Sequence, residues 1–510
     1  MLRTKLGLAL VLALLVAFGV VSIATAAVPT DSSALRNAVG VKGIMKHESE
    51  LQKIADANDG TRAASTPGYD ASVKYVVDKL RGAGLSVREQ PFQFPYFEET
   101  GPATFERLTP TAETYVQGED YDLMEYSAAG DVTGQIVPTN DIVIPPGAQA
   151  GTSNSGCEAS DFPSQTAGNV ALIQRGTCDF VVKAENAKAA GAVAVIIFNE
   201  GQEGRTDIIN GTLGHPVDIP ALDTTFAVGE ELYNLANANP DNTSVHIVTQ
   251  TLSEVRETKN VIADYPGGRA DRTVVVGAHL DSVPEGPGIN DNGSGSAGIL
   301  EIALQMKKLN IKPINHVRFA FWGAEEAGLH GSTYYVNQLT ARQQKDIAVN
   351  LNIDMIGSPN FVRFVYDGDG DAFGTSGPNG SGTVEDVFLD YFASQGLQTE
   401  PTEFDGRSDY EAFINAGIPA GGLFSGAEGI KTAEQAAIYG GTAGTAYDAC
   451  YHQACDDLSN LNKTALEQLA DGAAHATLTF AQTTSAVSGI DRASNTAASK
   501  MEYKGPKAKK

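Results

Sequence analysis

Residues 273–281 read Thr-Val-Val-Val-Gly-Ala-His-Leu-Asp, an apolar run followed directly by a histidine and, two residues on, an aspartate. A run of this kind is typical of a strand that is buried on both faces, as in parallel sheets. The following sequence predicts a helix over about 296–309 and strands over 316–322 and 350–353. Alternating strands and helices predict an α/β fold with a mainly parallel central sheet flanked by helices.

Histidine and carboxylate side chains follow these three strands. His279 and Asp281 follow the first strand, Glu325 and Glu326 follow the second, and Asp354 follows the third. Because open parallel sheets bind ligands at their carboxyl edge, we expect these side chains to lie together. Adjacent glutamates are costly there unless cations compensate their charge. Asp281 is placed to orient the imidazole of His279, a partner that metal-binding histidines usually have.

Two loops carry further residues of this kind. Asp291 lies between two asparagines ahead of the predicted helix, and His452 lies in a short loop between two cysteines. Taken alone, Asp291 also fits an ordinary turn. Imidazole nitrogen and carboxylate oxygen are both zinc ligands. The other six histidines are interpreted as ordinary hydrogen-bonded residues.

The composition limits the partners of the chain. Its 510 residues include 62 acidic and 36 basic side chains, giving a formal net charge of −26. Contacts to phosphates need lysine and arginine, so this balance argues against nucleic acid as a partner. Hydrophobic residues make up 42% and charged residues 19%, which predicts a globular chain.

The two ends of the chain have their own character. Two basic residues precede an apolar run over 6–23, and a small-x-small sequence follows it. This pattern predicts a signal peptide over 1–26 and a secreted protein without a membrane anchor after cleavage. An apolar run of this length is also compatible with a retained anchor. The Lys-rich tail over 486–510 is predicted to be a solvated, disordered end.

The middle of the chain indicates an inserted domain. Residues 106–250 are rich in Gly, Pro, Ser and Thr, and contain one strand, helix and strand unit over 170–198. The α/β domain is therefore predicted to be discontinuous, over 31–105 and 255–485.

The four cysteines suit an oxidising compartment. The economical pairing joins Cys157 to Cys178 and Cys450 to Cys455, although the sequence leaves the connectivity open. Neither pair has the CxxC spacing of a cysteine zinc site.

Six sequence blocks together resemble the secreted two-zinc aminopeptidases, the bacterial leucine-aminopeptidase-like group. The blocks, which agree in order and spacing, are His279-x-Asp281, Gly288 to Ser296, Trp322 to Glu326, Asp354 to Gly357, Asp405 to Asp409, and Cys450-Tyr451-His452. The segment from about 156 to 199 resembles a protease-associated (PA) domain. The resemblance implies a zinc-exopeptidase (phosphorylase/hydrolase-like) fold with an inserted β-rich PA domain.

The resemblance also implies a ligand set for two zinc ions. Asp291 bridges the two ions, His279 and Asp354 complete one site, and Glu326 and His452 complete the other. The charge of the two ions lowers the pKa of a water molecule, and Glu325 is its general base. A cis peptide bond is implied between Asp291 and the residue that follows it.

Further residues are implied to bind substrate. Tyr451 stabilises the developing oxyanion, and Phe424 is the candidate wall of an apolar pocket. Arg407 helps to hold the substrate or the intermediate, the alternative being an ion pair with a neighbouring acid. The expected substrates are peptide or protein N-termini with large apolar residues, above all Leu, and the expected enzyme is a monomer.

Other functions stay open at this point. A glutaminyl cyclase-like transferase uses the same fold with one working zinc, and a carboxypeptidase of the same clan holds a carboxylate with several arginines. A receptor-like binding protein would have lost metal ligands, and a dinuclear phosphatase or nuclease would need more basic residues.

Relatives also bind calcium on the last helix, where Glu467 and Asp471 are candidates, but the N-terminal Asp of those relatives is unmatched near Ala38.

Overall fold

The computed structural model describes residues 30–483 and 507–510. The predicted signal peptide over 1–26 and most of the predicted tail lie outside these described residues. Among the helices within them, none combines the length and apolar character that crossing a bilayer requires.

The helices and strands of the described residues have the following bounds. The strands are β1 (Ser86–Glu99), β2 (Thr104–Arg107), β3 (Glu113–Thr114), β4 (Tyr121–Leu123), β5 (Glu125–Ser127), β6 (Gly130–Pro138), β7 (Val170–Gln174), β8 (Ala194–Phe198), β9 (Thr212–Val217), β10 (Ala221–Thr224), β11 (Ser244–Thr249), β12 (Thr251–Asp264), β13 (Arg269–His279), β14 (Asn315–Trp322), β15 (Ile347–Ile353), β16 (Phe364–Tyr366), β17 (Glu400–Thr402) and β18 (Ala420–Phe424). The helices are α1 (Ser33–Ala38), α2 (Val41–Asp56), α3 (Pro67–Gly82), α4 (Phe180–Ala189), α5 (Phe226–Ala238), α6 (Gly295–Lys308), α7 (His330–Asn337), α8 (Ala341–Asp346), α9 (Ser381–Ser394), α10 (Tyr410–Asn415), α11 (Ala433–Tyr439) and α12 (Lys463–Gln482).

The central sheet has the strand order β1-β12-β14-β13-β15-β18-β16-β17. Its four middle strands, β14, β13, β15 and β18, run parallel to one another. The prediction of an α/β fold with a mainly parallel sheet is therefore confirmed. At one edge of this sheet β12 and then β1 are added in antiparallel directions.

Side chains of the central strands alternate between two buried layers. Val274 and Val276 of β13 join the core formed with α2, α3, α6 and α12. Val275, between them, joins the core on the other face, which contains Trp322 and Phe413. Both faces are covered, which explains why this strand appears in the sequence as a continuous apolar run.

The insert forms a second sheet with the strand order β3-β2-β11-β6-β7-β8-β10-β4. The predicted strand, helix and strand unit is confirmed as β7, α4 and β8, whose strands are parallel. The sheet already begins at β2, slightly ahead of the predicted boundary at residue 106. Both predicted disulfides are present, joining Cys157 to Cys178 and Cys450 to Cys455.

A long two-stranded ribbon connects the insert to the central sheet. Strands β1 and β12 pair along their whole lengths, from Ser86 opposite Asp264 to Glu99 opposite Thr251. Only the last four residues of β12 pair with β14 of the central sheet. The outer part of the ribbon packs against β5 and β9 of the insert, which holds the insert beside the carboxyl edge of the central sheet.

The last four residues contact the insert. Ala508 forms an isolated parallel bridge with Gly211, and Arg175 donates a hydrogen bond to the carbonyl oxygen of Lys510 at 2.6 Å. This differs from the expectation of a solvated tail for residues 507–510, because their backbone pairs with an edge of the insert.

The burial of β15 gives a test of the fold. Leu351 is fully buried in this strand, so Leu351→Ala is expected to lower the free energy of unfolding by about 2–5 kcal/mol through lost burial and a residual cavity. Val255→Ala, on a β12 side chain that is 59% exposed, is the control and is expected to change it by less than about 0.5 kcal/mol. Urea unfolding followed by circular dichroism measures both. Equal effects of the two substitutions would contradict the described core.

Candidate metal centre and active site

The parallel strands bring the predicted residues together at the carboxyl edge of the central sheet. His279 is the last residue of β13 and lies opposite Trp322, the last residue of β14. Asp354 directly follows β15, and Glu325 and Glu326 follow β14 after a two-residue turn. The turn between β13 and α6 contributes Asp291, and the loop between the paired cysteines contributes His452.

The first group of three donors consists of His279, Asp291 and Asp354. Nε2 of His279 lies 3.1 Å from Oδ1 of Asp291 and 3.4 Å from Oδ1 of Asp354. All three side chains are buried. The ligand atoms lie within 4.8 Å of one another.

The second group shares Asp291 with the first. Nε2 of His452 lies 3.3 Å from Oδ2 of Asp291 and 3.0 Å from Oε2 of Glu326. The two carboxylate oxygens of Asp291 thus face different imidazoles. The two groups contain the five residues that the resemblance implies as zinc ligands, in the same partition.

The chemistry of both groups fits zinc. Tetrahedral zinc with bonds of about 2.0–2.2 Å separates its ligand atoms by roughly 3.3 Å, close to the observed spacing. Oδ1 of Asp354 and Oε1 of Glu326 are buried and accept no hydrogen bond from the described residues. A buried carboxylate oxygen without a donor is costly unless a cation compensates it.

The electrostatics of the site also indicate that the buried acids need positive charge close to them. Burial raises the pKa of Glu326 to about 7, and the charge of Asp291 adds to this effect. Burial and then neighbouring carboxylates raise the pKa of Glu325 well above its usual value. Burial opposes a charged His279, yet the surrounding acids Glu325 and Asp354 outweigh burial and raise its pKa. The acids therefore need compensating positive charge, which protons or divalent cations can supply.

Backbone conformation aims several of these side chains. Ala324, just before the two glutamates, has a φ of 55°, Met355 after Asp354 has 46°, and His452 itself has 56°. Non-glycine residues adopt this left-handed region infrequently, and such residues cluster at functional sites. The predicted cis peptide bond between Asp291 and Asn292 is present.

Asp281 supports the site differently from the expectation. Nδ1 of His279 lies 3.1 Å from the backbone carbonyl oxygen of Asp281, whereas the Asp281 carboxylate is 3.7 Å away. That carboxylate accepts hydrogen bonds from the backbone N–H groups of Glu325 and Glu326, at 3.3 and 3.4 Å. Asp281 therefore contacts the imidazole mainly through its backbone, while its side chain fixes the glutamate turn.

Sequence reasoning missed two buried aspartates that anchor the His452 loop. Asp456 accepts hydrogen bonds from the backbone N–H groups of Asn290 and Asp291, at 2.8 and 2.9 Å. Asp448 accepts one from Nδ2 of Asn290 at 2.6 Å. The two aspartates stand on either side of the disulfide loop, so both ends of this loop are attached to the turn that carries Asp291. Their sequence positions, just outside the cysteine pair, are the one available signal.

A cavity of about 250 Å³ opens beside the two donor groups. Phe424, the candidate pocket wall, lines it together with Phe364, Tyr447 and Met355, which sequence reasoning missed. The rings of Phe364 and Phe424 are stacked with centroids 6.0 Å apart, and the ring of Tyr447 meets Phe364 edge-on at 5.3 Å. One side of the cavity is therefore apolar and aromatic, while the other is lined by the acids.

Arg407 and Tyr451 lie next to each other at this cavity. Nη1 of Arg407 lies 2.7 Å from Oε1 of Glu428, and its Nη2 donates a hydrogen bond to the Tyr451 hydroxyl at 3.3 Å. Both readings of Arg407 are thus compatible with its position, since it has an acidic partner and still lines the cavity.

Two other acidic sites in the described residues are less suited to a cation than the two donor groups of the metal centre. Arg36 places its guanidinium 3.7 Å from the carboxylate of Asp471, one of the calcium candidates, so a side chain already supplies positive charge there. Asp367, Asp369 and Asp371 also cluster, but two of them are exposed, and the Asp367 and Asp369 carboxylates accept N–H groups of their own loop.

An open α/β sheet with two adjoining groups of His and carboxylate donors at its carboxyl edge fits a metal-dependent α/β hydrolase. The family model described as Peptidase family M28 matches residues 260–477, and the PA domain model matches 123–232. An aminopeptidase of Pseudomonas aeruginosa is 50% identical over 437 residues, 85% of this chain and 80% of that protein. The leucine aminopeptidase 2 of Trichophyton equinum is 38% identical over 439 residues, 85% of this chain and 82% of that protein.

A solved structure agrees with these sequence matches. The zinc aminopeptidase of Bacillus subtilis is similar with a TM-score of 0.53 at 25% identity, over 86% of this chain and 94% of that one. The chain belongs to peptidase family M28. It is a metallo-aminopeptidase with an inserted PA domain, and its family implies zinc and peptide substrates.

The anchoring of the His452 loop yields a prediction. Asp456→Asn replaces one acceptor oxygen by an NH₂ donor that faces the backbone N–H groups of the Asn290–Asp291 turn. We expect zinc affinity to fall by about 10–100-fold, the usual cost of losing a residue that supports metal ligands. Titration of the metal-free protein with zinc in a calorimeter measures this directly.

The adjacent residue supplies the control. Among the described residues, the Asp457 carboxylate accepts its hydrogen bonds from Ser459 in its own turn, and Asp457→Asn is expected to leave zinc affinity unchanged. Equal zinc affinities for the two variants would show that the Asp456 contacts do not support the metal ligands.

Proposed function

We propose that this protein is a secreted two-zinc aminopeptidase that releases large apolar residues, Leu foremost, from the N-termini of peptides. The observation that carries the proposal is Asp291, whose two carboxylate oxygens face two separate imidazoles at 3.1 and 3.3 Å. A carboxylate in that position can bind one cation with each oxygen. Two ions, with Asp291 between them, would use all five donors and compensate the buried acids.

The proposed ligand set is His279 and Asp354 for one ion, and Glu326 and His452 for the other. Zinc, when bound there, supplies the positive charge that polarises the scissile carbonyl and lowers the pKa of the attacking water. The remaining chemistry belongs to side chains of the chain itself.

Glu325 is the proposed general base. It is buried, and its Oε2 lies 4.0 Å from Nε2 of His279. Glu325 is therefore adjacent to the donor groups but is a member of neither. Its carboxylate takes a proton from the attacking water and later gives it to the leaving amine. The backbone hydrogen bond to Asp281 holds the turn from which Glu325 reaches the reacting atoms.

Tyr451 and Arg407 are proposed to stabilise the oxyanion that forms on the substrate carbonyl. The Tyr451 hydroxyl accepts its hydrogen bond from Arg407, so its own proton is directed elsewhere and can be donated to that oxygen. Burial, together with the charges of Asp291 and Glu326, raises the pKa of Tyr451 and keeps it protonated.

The cavity suits a cationic N-terminus with an apolar side chain. Its acidic side attracts the α-amino group. Phe424 and the adjoining rings form an apolar side that suits a Leu side chain, and Leu is named in the similar fungal aminopeptidase. The two disulfides agree with an extracellular location, which supports secretion as part of the proposal. A monomeric state stays a prediction.

Hydrolysis of a leucine anilide tests the activity. We expect the free-amine substrate to be cleaved and its N-acetylated form not to be cleaved. The activity should be lost when the metal is chelated and restored by two equivalents of zinc. Restoration by one equivalent would contradict the two-zinc proposal. No cleavage by the zinc-loaded protein would contradict the Leu-type assignment and would favour cyclisation of N-terminal glutamine as the next assay.

Glu325→Gln tests the general base. The amide cannot take the proton from water, so kcat is expected to fall by about 10²–10⁴-fold while zinc content stays the same. Glu434→Gln, on an exposed side chain of α11, is the matched control with unchanged kcat. Steady-state kinetics and metal analysis are measured on both proteins. A Glu325→Gln enzyme with normal kcat would exclude this role.

Phe424→Ala tests the apolar pocket. Removing the ring is expected to lower kcat/KM for leucine anilide about tenfold or more, but that for alanine anilide much less, because only the larger side chain reaches the wall. Phe373→Ala, on a 47% exposed ring outside the cavity, is the control. An unchanged ratio of the two substrates would remove Phe424 from the specificity pocket.

A further inference from the structure

Residues 507–510 lie along an edge of the insert. The Ala508 N–H donates to the carbonyl oxygen of Asn210 at 2.9 Å, and the Thr212 N–H donates to the carbonyl oxygen of Ala508 at 2.8 Å. On its other side the segment accepts a hydrogen bond from the Phe180 N–H to the Lys509 carbonyl oxygen, at 3.0 Å. An extended segment has thus been added to the edge at 210–212 through backbone contacts, which do not depend on its side chains.

Successive side chains of this segment point in opposite directions, as in a strand. Ala508 packs against the apolar cluster of the insert that contains Phe180 and Leu213. Lys507 and Lys509, on either side of it, both line a cleft on the opposite side. The edge therefore holds a small apolar residue between two basic ones.

The cleft joins this edge to the metal centre. It has a volume of about 640 Å³ and is lined by Thr212 of the edge and by Glu325, Glu326 and His452 of the centre. Tyr126 of the insert also lines it. A peptide whose amino terminus lies at the metal centre has to leave through an opening, and this cleft is one that leads to the edge at 210–212, where residues 507–510 are bound.

The charge of the cleft suits the two lysines. Glu125 and Glu411 contribute to its lining besides the acids of the metal centre, while Glu428 also lies there but is ion-paired with Arg407. Burial raises the pKa of Glu411, and the nearby charge of Lys509 counteracts that effect. Basic side chains in an extended peptide would therefore meet acidic partners along the cleft.

We propose that the edge at residues 210–212 is a subsite for the part of a peptide substrate that follows the scissile bond. The subsite binds an extended backbone and favours basic residues that alternate with small apolar ones. Residues 507–510 occupy the subsite when no peptide is bound, so they compete with long substrates. This inference rests on the proposed aminopeptidase function, because it assigns the direction in which the substrate leaves the metal centre.

Ala508→Pro in the full chain tests the subsite. Proline lacks the N–H that donates to Asn210, so the segment should leave the edge, whereas Ala508→Ser keeps the N–H and is the control. The substrates are leucine anilide, which has no downstream residues, and an octapeptide that begins with Leu and continues with alternating Ala and Lys. A third substrate carries Glu in place of each Lys.

The expected result is selective. Relative to Ala508→Ser, the proline variant should show a KM about tenfold lower for the Lys octapeptide, with less than about a twofold change for the anilide. The decrease in KM should be much smaller for the Glu octapeptide than for the Lys octapeptide. Equal changes for the anilide and the octapeptide would overturn the proposal, since the segment would then obstruct the metal centre itself. No change for any substrate would overturn it as well.

A binding measurement separates this proposal from the proposed function. The N-acetylated peptide of residues 505–510, labelled with a fluorophore, should bind Ala508→Pro in fluorescence polarisation and should inhibit octapeptide hydrolysis competitively. It should bind Ala508→Ser at least about tenfold more weakly. If no variant cleaves leucine anilide, the proposed function fails, yet polarisation still reports on the edge. Equal binding to both variants would refute its occupation by residues 507–510.

Discussion

Buried negative charge at the carboxyl edge of the central sheet is the constraint on which the rest of the structure depends. Glu325, Glu326, Asp354 and Asp291 are all buried or nearly so around two imidazoles. Such a cluster is stable only when positive charge compensates it. The parallel strands, the left-handed residues and the cysteine loop all serve to hold these groups at spacings that suit a divalent cation.

The insert gives this centre its surroundings. The ribbon of β1 and β12 places the insert beside the edge where the acids meet, so one cleft is lined both by the centre and by insert strands. An exopeptidase needs a site that accepts a chain end and excludes the middle of a chain. The insert adds residues to the lining of this cleft and contributes none of the five proposed ligands.

The sequence was most informative where one short segment carried a complete signal. The apolar run before His279 predicted a buried parallel strand, and the strand, helix and strand unit of the insert was equally local. It was least informative for groups that meet only through folding. Asp456 and Asp448 support the turn at Asp291 from more than 150 residues away, and the distance between two such segments leaves no trace in either of them.

The sequence by itself determined the fold class and which residues stand at strand ends, because hydrophobic periodicity and residue chemistry are local properties. It left the disulfide connectivity open, and the tertiary structure decided it. Only the tertiary structure decided that the Asp281 carboxylate holds the glutamate turn rather than the imidazole. It also decided that residues 507–510 lie on an edge of the insert. Both outcomes depend on which backbone groups remain without partners once the sheets have formed, and that is fixed by packing over the whole chain.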